Sequence, residues 1–279
     1  MNSPLIEPRD LDLEAGAILF DCRFSLLDTE HGRQVFADGH IPGAQRLDME
    51  IEMSGARSGR NGRHPLPTRT PFEQRLRAAG VNDTSQVIVY DAAGPAGAAR
   101  AWWLLRWFGF TNVTVLHGGI AAWQRAGLAL EAGDALPPDA SGNVQLRAPN
   151  PNAVISLADL SAQLADYNGR LIDAREAERY RGEAEPIDPV AGCIPGAVNL
   201  PWGELLDANG RFHSATTLRE RWNNVTRESA GSVLYCGSGV TACVLALSRA
   251  VAGLPDVAMY AGGFSEWCAD PARPIAKGA

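Results

Sequence analysis

The stretch Cys236-Gly-Ser-Gly-Val-Thr-Ala-Cys243 separates two hydrophobic segments of different character. Ser232-Val-Leu-Tyr235, which precedes it, has the pattern of a buried strand, and residues 242–249 have that of a helix. Cys236 is therefore predicted to lie where a strand passes into a helix, at the start of a short glycine-containing loop. Such a loop can direct backbone N–H groups at one point, and the helix N-terminus adds a partial positive charge. We expect the loop to hold the sulfur of Cys236 as an anion.

The landmarks around this loop occur twice in the chain, in the same order. Gly39-His-Ile-Pro-Gly-Ala44 returns as Gly192-Cys-Ile-Pro-Gly-Ala197. An Asp-x-Arg pattern precedes each copy and a Gly-Gly-x-x-x-Trp pattern follows it. Three matches in one order indicate a duplicated unit. The flanking matches are Phe20–Arg23 with Ile172–Arg175, and His117–Trp123 with Ala261–Trp267.

Short β-type runs alternate with helical patterns in both halves. This alternation predicts an α/β fold in which each half forms a mostly parallel sheet with helices on both faces. A stretch rich in proline and glycine, 136–152, separates the halves. We therefore predict a first domain at 1–135, a linker at 136–152 and a second domain at 153–279. The predicted elements are 86–90, 98–108 and 113–116 in the first half, and 233–235, 242–251 and 257–260 in the second.

Composition and charge exclude several classes of function. The chain of 279 residues has a formal net charge of −7 and no basic stripe, so nucleic acid is not an expected partner. No apolar run is long enough for a bilayer, and the N-terminus lacks a secretory pattern, so we expect a cytoplasmic protein without a membrane partner. The five cysteines are scattered, with no CxxC pair, so we expect reduced thiols and no metal site.

The two halves differ at the residue that matters most for chemistry. In the first half, Asp91 stands at the position of Cys236, after the strand pattern that ends at Tyr90. A carboxylate cannot act as a sulfur nucleophile, so the first domain is predicted to be catalytically silent.

Taken together, these motifs resemble those of the tandem-domain rhodanese-type sulfurtransferases, the thiosulfate and 3-mercaptopyruvate sulfurtransferase family. The resemblance covers nearly the whole chain. It implies an enzyme that moves a sulfane sulfur from a small anionic donor, through a persulfide on Cys236, to cyanide or a thiol such as that of a thioredoxin-like protein. It implies no cofactor. Gly237 and Ser238 make the loop most like the mercaptopyruvate branch, because the thiosulfate branch has basic residues directly after the cysteine.

The loop itself is expected to bind the persulfide and the donor. Gly237 and Gly239 tolerate left-handed backbone dihedrals, which suits a loop that curls around a sulfur atom. Ser238 either hydrogen-bonds the donor or faces solvent. Thr241 is predicted to cap the following helix and to line the pocket. The loop set is Gly237, Ser238, Gly239, Val240 and Thr241.

Further residues are implied by the resemblance alone. Arg179 matches the arginine that binds the anionic donor. Ile187 stands where the mercaptopyruvate branch has a second arginine, and Arg181 is the nearest substitute. Glu50 and His64, from the first half, match an acidic and a histidine position of the family site.

Two other functions remain open on the sequence. A phosphatase of the Cys-x5-Arg type needs an arginine six positions after the cysteine to hold phosphate, and this chain has Ala242 there. A sulfur-carrier or sensor module, loaded at Cys236 by a partner protein, is the second alternative. Turnover of small donors with small acceptors would separate it from an enzyme.

Overall fold

The computed structural model describes residues 3–138, 140–226 and 231–278. The chain divides into two compact units, and each half of the sequence contributes one short segment to the unit built mainly by the other half. The predicted domains follow sequence order alone and do not include this exchange, so their boundaries stay a prediction. The first unit contains Met1–Gly55, Pro67–Asn150 and Ala208–Phe212, and the second contains Ala56–Leu66, Pro151–Asp207 and His213–Ala279.

The first unit is built around a five-stranded sheet, in which all described pairings are parallel. The strands lie in the order β1-β5-β4-β2-β3. They are β1 (Leu5–Ile6), β2 (Ile18–Asp21), β3 (Gln45–Arg46), β4 (Val87–Tyr90) and β5 (Val113–Leu116). The α-helices are α1 (His31–Asp38), α2 (Arg69–Ala78), α3 (Ala96–Trp107) and α4 (Gly119–Arg125), with 3-10 turns at Pro8–Asp10 and Leu13–Ala15.

The second unit repeats this plan with a four-stranded sheet in the order β7-β6-β8-β9, again with parallel pairings. The parallel α/β fold predicted for both halves is confirmed. The strands are β6 (Leu171–Asp173), β7 (Ala197–Asn199), β8 (Val233–Tyr235) and β9 (Ala258–Met259). The α-helices are α5 (Leu157–Ala162), α6 (Ala177–Arg181), α7 (Ala215–Val225), α8 (Thr241–Val251) and α9 (Gly263–Trp267), with 3-10 turns at Pro151–Ala153, Leu164–Tyr167 and Trp202–Leu205.

The Asp-x-Arg pattern connects the end of a strand to the loop that carries the Ile-Pro-Gly-Ala motif. In the second unit, Arg175 Nη2 is 2.7 Å from Asp173 Oδ2 and donates to the carbonyl oxygen of Gly192, also at 2.7 Å. All three residues are buried, so the carboxylate and the carbonyl must satisfy the hydrogen-bond donors of the guanidinium. The Arg175 side chain thus has a structural role. The first unit has the same contacts among Arg23, Asp21 and Gly39.

The tryptophan that ends each Gly-Gly-x-x-x-Trp pattern is a core residue. Trp123 is 3% exposed and Trp267 is 1% exposed. Each indole N–H donates to a backbone carbonyl a few residues further on, that of Ala129 at 2.8 Å and that of Pro274 at 2.9 Å. A buried indole needs such an acceptor, and the pattern thus fixes the chain that follows each short helix.

Most of the stretch predicted as a linker, 136–152, belongs to the first unit. Val144 is completely buried, and its amide donates to the carbonyl oxygen of Val81 at 3.1 Å. Beyond it, Ser156 Oγ accepts the amide of Asp159 at 3.1 Å and so caps the start of helix α5. Among the residues that the structure describes, no helix combines the length and apolar character needed to cross a bilayer.

Candidate active site

Cys236 is the first residue after strand β8. It begins the loop 236–240, which leads into helix α8. The backbone amide of Gly239 donates to Cys236 Sγ at 3.1 Å. Gly239 has φ +75°, and a Cβ there would collide with the carbonyl of Ala261. The left-handed backbone at this glycine therefore turns its N–H toward the sulfur. Cys236 is 1% exposed, so the sulfur and this amide interact in a largely dry environment.

Backbone amides of helix α9 bind the carbonyl groups of the cysteine loop. Phe264 donates its amide to the carbonyl of Cys236 at 2.7 Å, and Ser265 donates to that of Gly237 at 2.8 Å. The backbones approach so closely that a Cβ on Gly263, which has φ +64°, would lie 2.6 Å from the Cys236 carbonyl oxygen. The second glycine of the Gly-Gly-x-x-x-Trp pattern is thus required by the cysteine loop. The first unit has the equivalent amide bond from Ile120 to the carbonyl of Asp91, at 2.9 Å.

Two details of the loop differ from the sequence prediction. Thr241 does not cap helix α8. It is the first helical residue, and the capping position falls on Val240, whose φ −90° and ψ −62° already lie in the right-handed helical region. Gly237 is not left-handed, unlike Gly239. Gly237 is instead required because a side chain has no room there, since a Cβ on it would lie 2.6 Å from Arg63 Nη2.

His64 lies beside the loop, within the second unit. Its Nδ1 is 2.8 Å from Ser238 Oγ, and both side chains are buried. The segment 56–66 that carries His64 is attached to helix α9 by the amide of Arg63, which donates to Ser265 Oγ at 3.1 Å. Glu50 belongs to the first unit, where its amide donates to Asp48 Oδ1 at 2.8 Å, and its role in a donor site stays a prediction.

Arg179 faces the loop from helix α6 and is surrounded by carboxylates. Its Nη2 would lie 3.6 Å from a Cβ on Gly237, so the guanidinium is adjacent to the loop. Its Nε donates to both oxygens of Glu185, at 3.0 and 3.1 Å, and its Nη2 donates to Asp188 Oδ2 at 3.0 Å. Burial would raise the pKa of Glu185, but hydrogen bonds from Arg179 and from backbone amides outweigh burial and lower it. Burial raises the pKa of Asp188 despite its neighbouring arginines.

Arg181, the predicted substitute for a second donor-binding arginine, lies in a different setting. Its side chain is 37% exposed and pairs with Glu183 at 2.8 Å. The second cation beside the loop, after Arg179, is Arg63, which pairs with Asp188. Sequence reasoning missed it because Arg57, Arg60 and Arg63 all precede His64 in one polar segment. Only the position next to His64 distinguishes Arg63 from the other two.

Burial and residue type bear on the other four cysteines and on the phosphatase alternative. Like Cys236, these four are free and buried, and burial is typical of a cysteine that packs as a small hydrophobic side chain. Ala242, in the first turn of helix α8, is fully buried and carries only a methyl group where a phosphatase of this type needs a guanidinium.

Known proteins resemble this chain along most of its length. The sequence profile of the rhodanese-like domain matches residues 9–126 and 156–270. A Pseudomonas aeruginosa protein with the provisional name 3-mercaptopyruvate sulfurtransferase is 44% identical over 271 residues, which cover 95% of this chain and 94% of the relative. A Mycobacterium tuberculosis protein with the provisional name thiosulfate sulfurtransferase SseB is 40% identical over 262 residues, covering 93% and 90%.

The fold agrees with the same assignment. The crystal structure of SseA from Escherichia coli, a 3-mercaptopyruvate sulfotransferase by its description, matches with a TM-score of 0.81 and 33% sequence identity. The match covers 94% of this chain and 99% of that structure. The chain therefore belongs to the rhodanese family, as a tandem-domain member of its sulfurtransferases.

Proposed function

We propose that the protein is a sulfurtransferase that carries a sulfane sulfur on Cys236 as a persulfide. The observation that supports this most directly is the Gly239 amide, directed at Cys236 Sγ from 3.1 Å. A hydrogen bond to a charged acceptor is worth about 1.5–3 kcal/mol, so this amide stabilises negative charge on the sulfur. The loop thereby favours a nucleophilic sulfur without an adjacent base.

In the first half-reaction, the Cys236 thiolate attacks the sulfur of the donor. With 3-mercaptopyruvate, the carbon–sulfur bond breaks, its electron pair stays on carbon, and pyruvate leaves as the enolate, which must then take up a proton. With thiosulfate, the sulfur–sulfur bond breaks and sulfite leaves without needing a proton. In the second half-reaction, a thiolate or cyanide attacks the outer sulfur of the persulfide and regenerates the Cys236 thiolate.

We assign 3-mercaptopyruvate as the preferred donor. Gly237 and Ser238 carry no charge, so the loop lacks the basic residues that follow the cysteine in the thiosulfate branch. The pair of Ser238 Oγ and His64 Nδ1, at 2.8 Å, connects a buried imidazole to a hydroxyl of the cysteine loop. Such a pair can pass a proton to the departing enolate. Relatives of similar identity carry the names of both donors, so the preference rests on these residues.

We further propose a cytoplasmic enzyme whose acceptor is a thiol, such as that of a thioredoxin-like protein. All five cysteines are free, which suits a reducing compartment in which acceptor thiols stay reduced.

The test is donor-dependent persulfide formation followed by mass spectrometry of the intact protein. Wild type incubated with 3-mercaptopyruvate should gain the mass of one sulfur atom and lose it when cyanide is added. Cys236→Ser should gain none, whereas Cys268→Ser, at another buried cysteine, should load like wild type. Loading of Cys236→Ser would refute the proposal. Loading of wild type only by a partner persulfide, without turnover of small donors and acceptors, would favour the carrier alternative.

A further inference from the structure

The two duplicated units differ at two serines that lie close to the reactive cysteine. The cysteine loop corresponds to residues 91–95 of the first unit, because the helices that follow begin at equivalent positions. Ser238 then corresponds to Ala93. Helix α9 corresponds to helix α4, and Ser265 to Ala121. Both serines are thus present in the unit with the reactive cysteine, and both are alanine in the unit where aspartate replaces it.

A short Asn-Gly-Arg sequence also occurs in both halves, as Asn61–Arg63 and Asn209–Arg211. Each copy belongs to the unit built mainly by the other half of the chain. In each copy the glycine is left-handed and packs closely against a loop at the end of a strand. The residue after the first copy is His64, and the residue after the second is Phe212. The two units therefore receive similar arms, but the arm at the cysteine loop carries an imidazole and the other a phenyl ring.

Ser265 binds the backbone on both sides of the hydrogen bond between His64 and Ser238. Its amide donates to the carbonyl of Gly237, the residue before Ser238, at 2.8 Å. Its Oγ accepts the amide of Arg63, the residue before His64, at 3.1 Å. Ser265, the two backbone segments and the hydrogen bond of 2.8 Å between the side chains thus form a closed ring of contacts.

The hydroxyl of Ser265 is well suited to hold the arm in place. It donates to the carbonyl of Gly262 at 3.2 Å, which leaves a lone pair of Oγ for the amide of the arm. His64 and Ser238 are 1% and 4% exposed, so water cannot replace either partner if the arm shifts. Because a catalytic arrangement must be held within about 0.5 Å, a small displacement of the arm would break the pair.

We propose that Ser265 is a positioning residue for sulfur transfer, whose hydroxyl holds His64 within hydrogen-bonding distance of Ser238. The inference rests on the proposed function, in which this pair passes a proton to the departing enolate. The comparison between the units supports it. The first unit has Ala121 and Phe212 at the corresponding positions, and neither side chain can form a hydrogen bond, so the pair and the residue that holds it are replaced together.

Steady-state kinetics with both donors provide the first test. In Ser265→Ala, kcat with 3-mercaptopyruvate should fall about tenfold, which is less than the loss expected when general acid catalysis is removed entirely. The kcat with thiosulfate should change less than about twofold, because sulfite needs no proton. Ser265→Thr keeps the hydroxyl and should restore the wild-type kcat with 3-mercaptopyruvate. Ser161→Ala, at an exposed serine of helix α5, is the matched control. Equal losses with both donors would overturn the proposal.

A double-mutant cycle tests whether Ser265 acts through the pair. In Ser238→Ala the pair is already absent, so Ser265 has nothing left to position. Adding Ser265→Ala to this variant should lower kcat with 3-mercaptopyruvate by less than about twofold further. A further loss of about tenfold would mean that Ser265 acts independently of the pair, and the proposal would then be wrong.

Nuclear magnetic resonance of the imidazole nitrogens separates this inference from the proposed function. The ring signals of His64, assigned by their loss in His64→Gln, should shift in Ser265→Ala in the same direction as in Ser238→Ala, because both changes break the hydrogen bond at Nδ1. Ser265→Thr should keep the wild-type signals. This result is expected even if wild type forms no persulfide and the proposed function falls. Unchanged His64 signals in Ser265→Ala would overturn the role of Ser265 and leave sulfur transfer standing.

A second pair of variants covers the case in which Ser265→Ala does not fold. Valine and threonine have nearly the same shape, and threonine alone carries a hydroxyl. Ser265→Val should therefore show the reduced kcat and the shifted His64 signals, and Ser265→Thr should show neither. Equal kcat values and equal ring signals in these two variants would refute the proposal.

Discussion

Nδ1 of His64 lies 2.8 Å from Oγ of Ser238, although the two residues are 174 positions apart in the chain. Ser238 is two residues after Cys236, and His64 reaches it on a segment that belongs to the same compact unit. Both side chains are almost fully buried, so neither can exchange this partner for water. The pair is therefore held ready beside the reactive sulfur, where a proton is needed only if the leaving group is a carbanion.

Ser238→Ala should discriminate between the two donors. Without the hydroxyl, the enolate of pyruvate loses its proton source, whereas sulfite needs none. We expect kcat with 3-mercaptopyruvate to fall about 100-fold, the lower end of the range for loss of general acid catalysis. We expect kcat with thiosulfate to change less than about threefold. Ser58→Ala, on the exposed part of segment 56–66, is the control. Equal losses with both donors would assign Ser238 a purely structural role.

Gly263→Ala should both destabilise the protein and slow persulfide formation on Cys236. Its Cβ would lie 2.6 Å from the Cys236 carbonyl oxygen and 2.8 Å from the Gly237 carbonyl carbon, at φ +64°. Left-handed strain and displacement of backbone should lower the free energy of unfolding by about 2–4 kcal/mol and slow persulfide formation at least about tenfold. Urea unfolding and intact-mass kinetics measure the two effects.

Two further glycines separate these effects. At Gly203, no atom lies within 4 Å of an added Cβ, so Gly203→Ala should leave stability and chemistry near wild type. Gly119→Ala creates the equivalent collision with the carbonyl of Asp91 in the first unit. It should destabilise the protein, while the folded molecules form the persulfide at the normal rate. Slow persulfide formation in folded Gly119→Ala would contradict a local role for Gly263.

Asp91, which replaces the cysteine in the first unit, should make stability depend on pH. Burial raises its pKa to about 7, although amides of Ala92 and Gly97 bind its oxygens at 2.7 and 2.6 Å. Because the folded state binds the proton more tightly than the unfolded state, this contribution to stability is complete below about pH 4 and is lost as the pH rises through 7. A difference of about three pKa units corresponds to about 4 kcal/mol.

The measurement is urea unfolding of wild type and Asp91→Asn between pH 4.5 and 8. The difference between their free energies of unfolding should shift in favour of Asp91→Asn as the pH rises, and should become constant above about pH 8. Asp10→Asn, at an exposed aspartate of the same unit, is the control. A pH-independent difference between wild type and Asp91→Asn would mean that Asp91 titrates alike in the folded and unfolded states.

The parts of the fold that depend on local pattern could be predicted from the sequence. The strands at 113–116 and 233–235 have the predicted bounds, and helix α8 begins one residue earlier than predicted. Each prediction rested on a run of hydrophobic residues whose period selects one element. The reactive loop was recognisable for the same reason, because Cys236 stands directly between a strand pattern and a helix pattern.

What could not be predicted depends on contacts between residues far apart in the chain. Nothing in the polar segment before His64 shows that it packs against Ser265, so the nearness of Arg63 to Gly237 was missed. The misassigned cap at Thr241 has a local cause. Threonine is a good capping residue, but the tight turn at Gly239 brings Val240 into helical geometry first.

Gly237→Ala and Gly239→Ala should show that the two glycines of the loop are required for different reasons. Gly239 is required for its left-handed backbone, and Gly237 for the space that a side chain would fill. At Gly239 the φ of +75° and the nearby carbonyl of Ala261 oppose any side chain, so the alanine variant should lose about 2–4 kcal/mol of stability. Gly237 is not left-handed, and its closest obstacle is the end of the flexible Arg63 side chain, 2.6 Å from the added Cβ. Gly237→Ala should therefore unfold within about 1 kcal/mol of wild type but slow persulfide formation several-fold, because the methyl group displaces the Arg63 guanidinium beside the cysteine loop. Thermal unfolding and donor kinetics on the two variants test this contrast. Similar stability losses in both would mean that Gly237 is required for its backbone rather than for the space it leaves to Arg63.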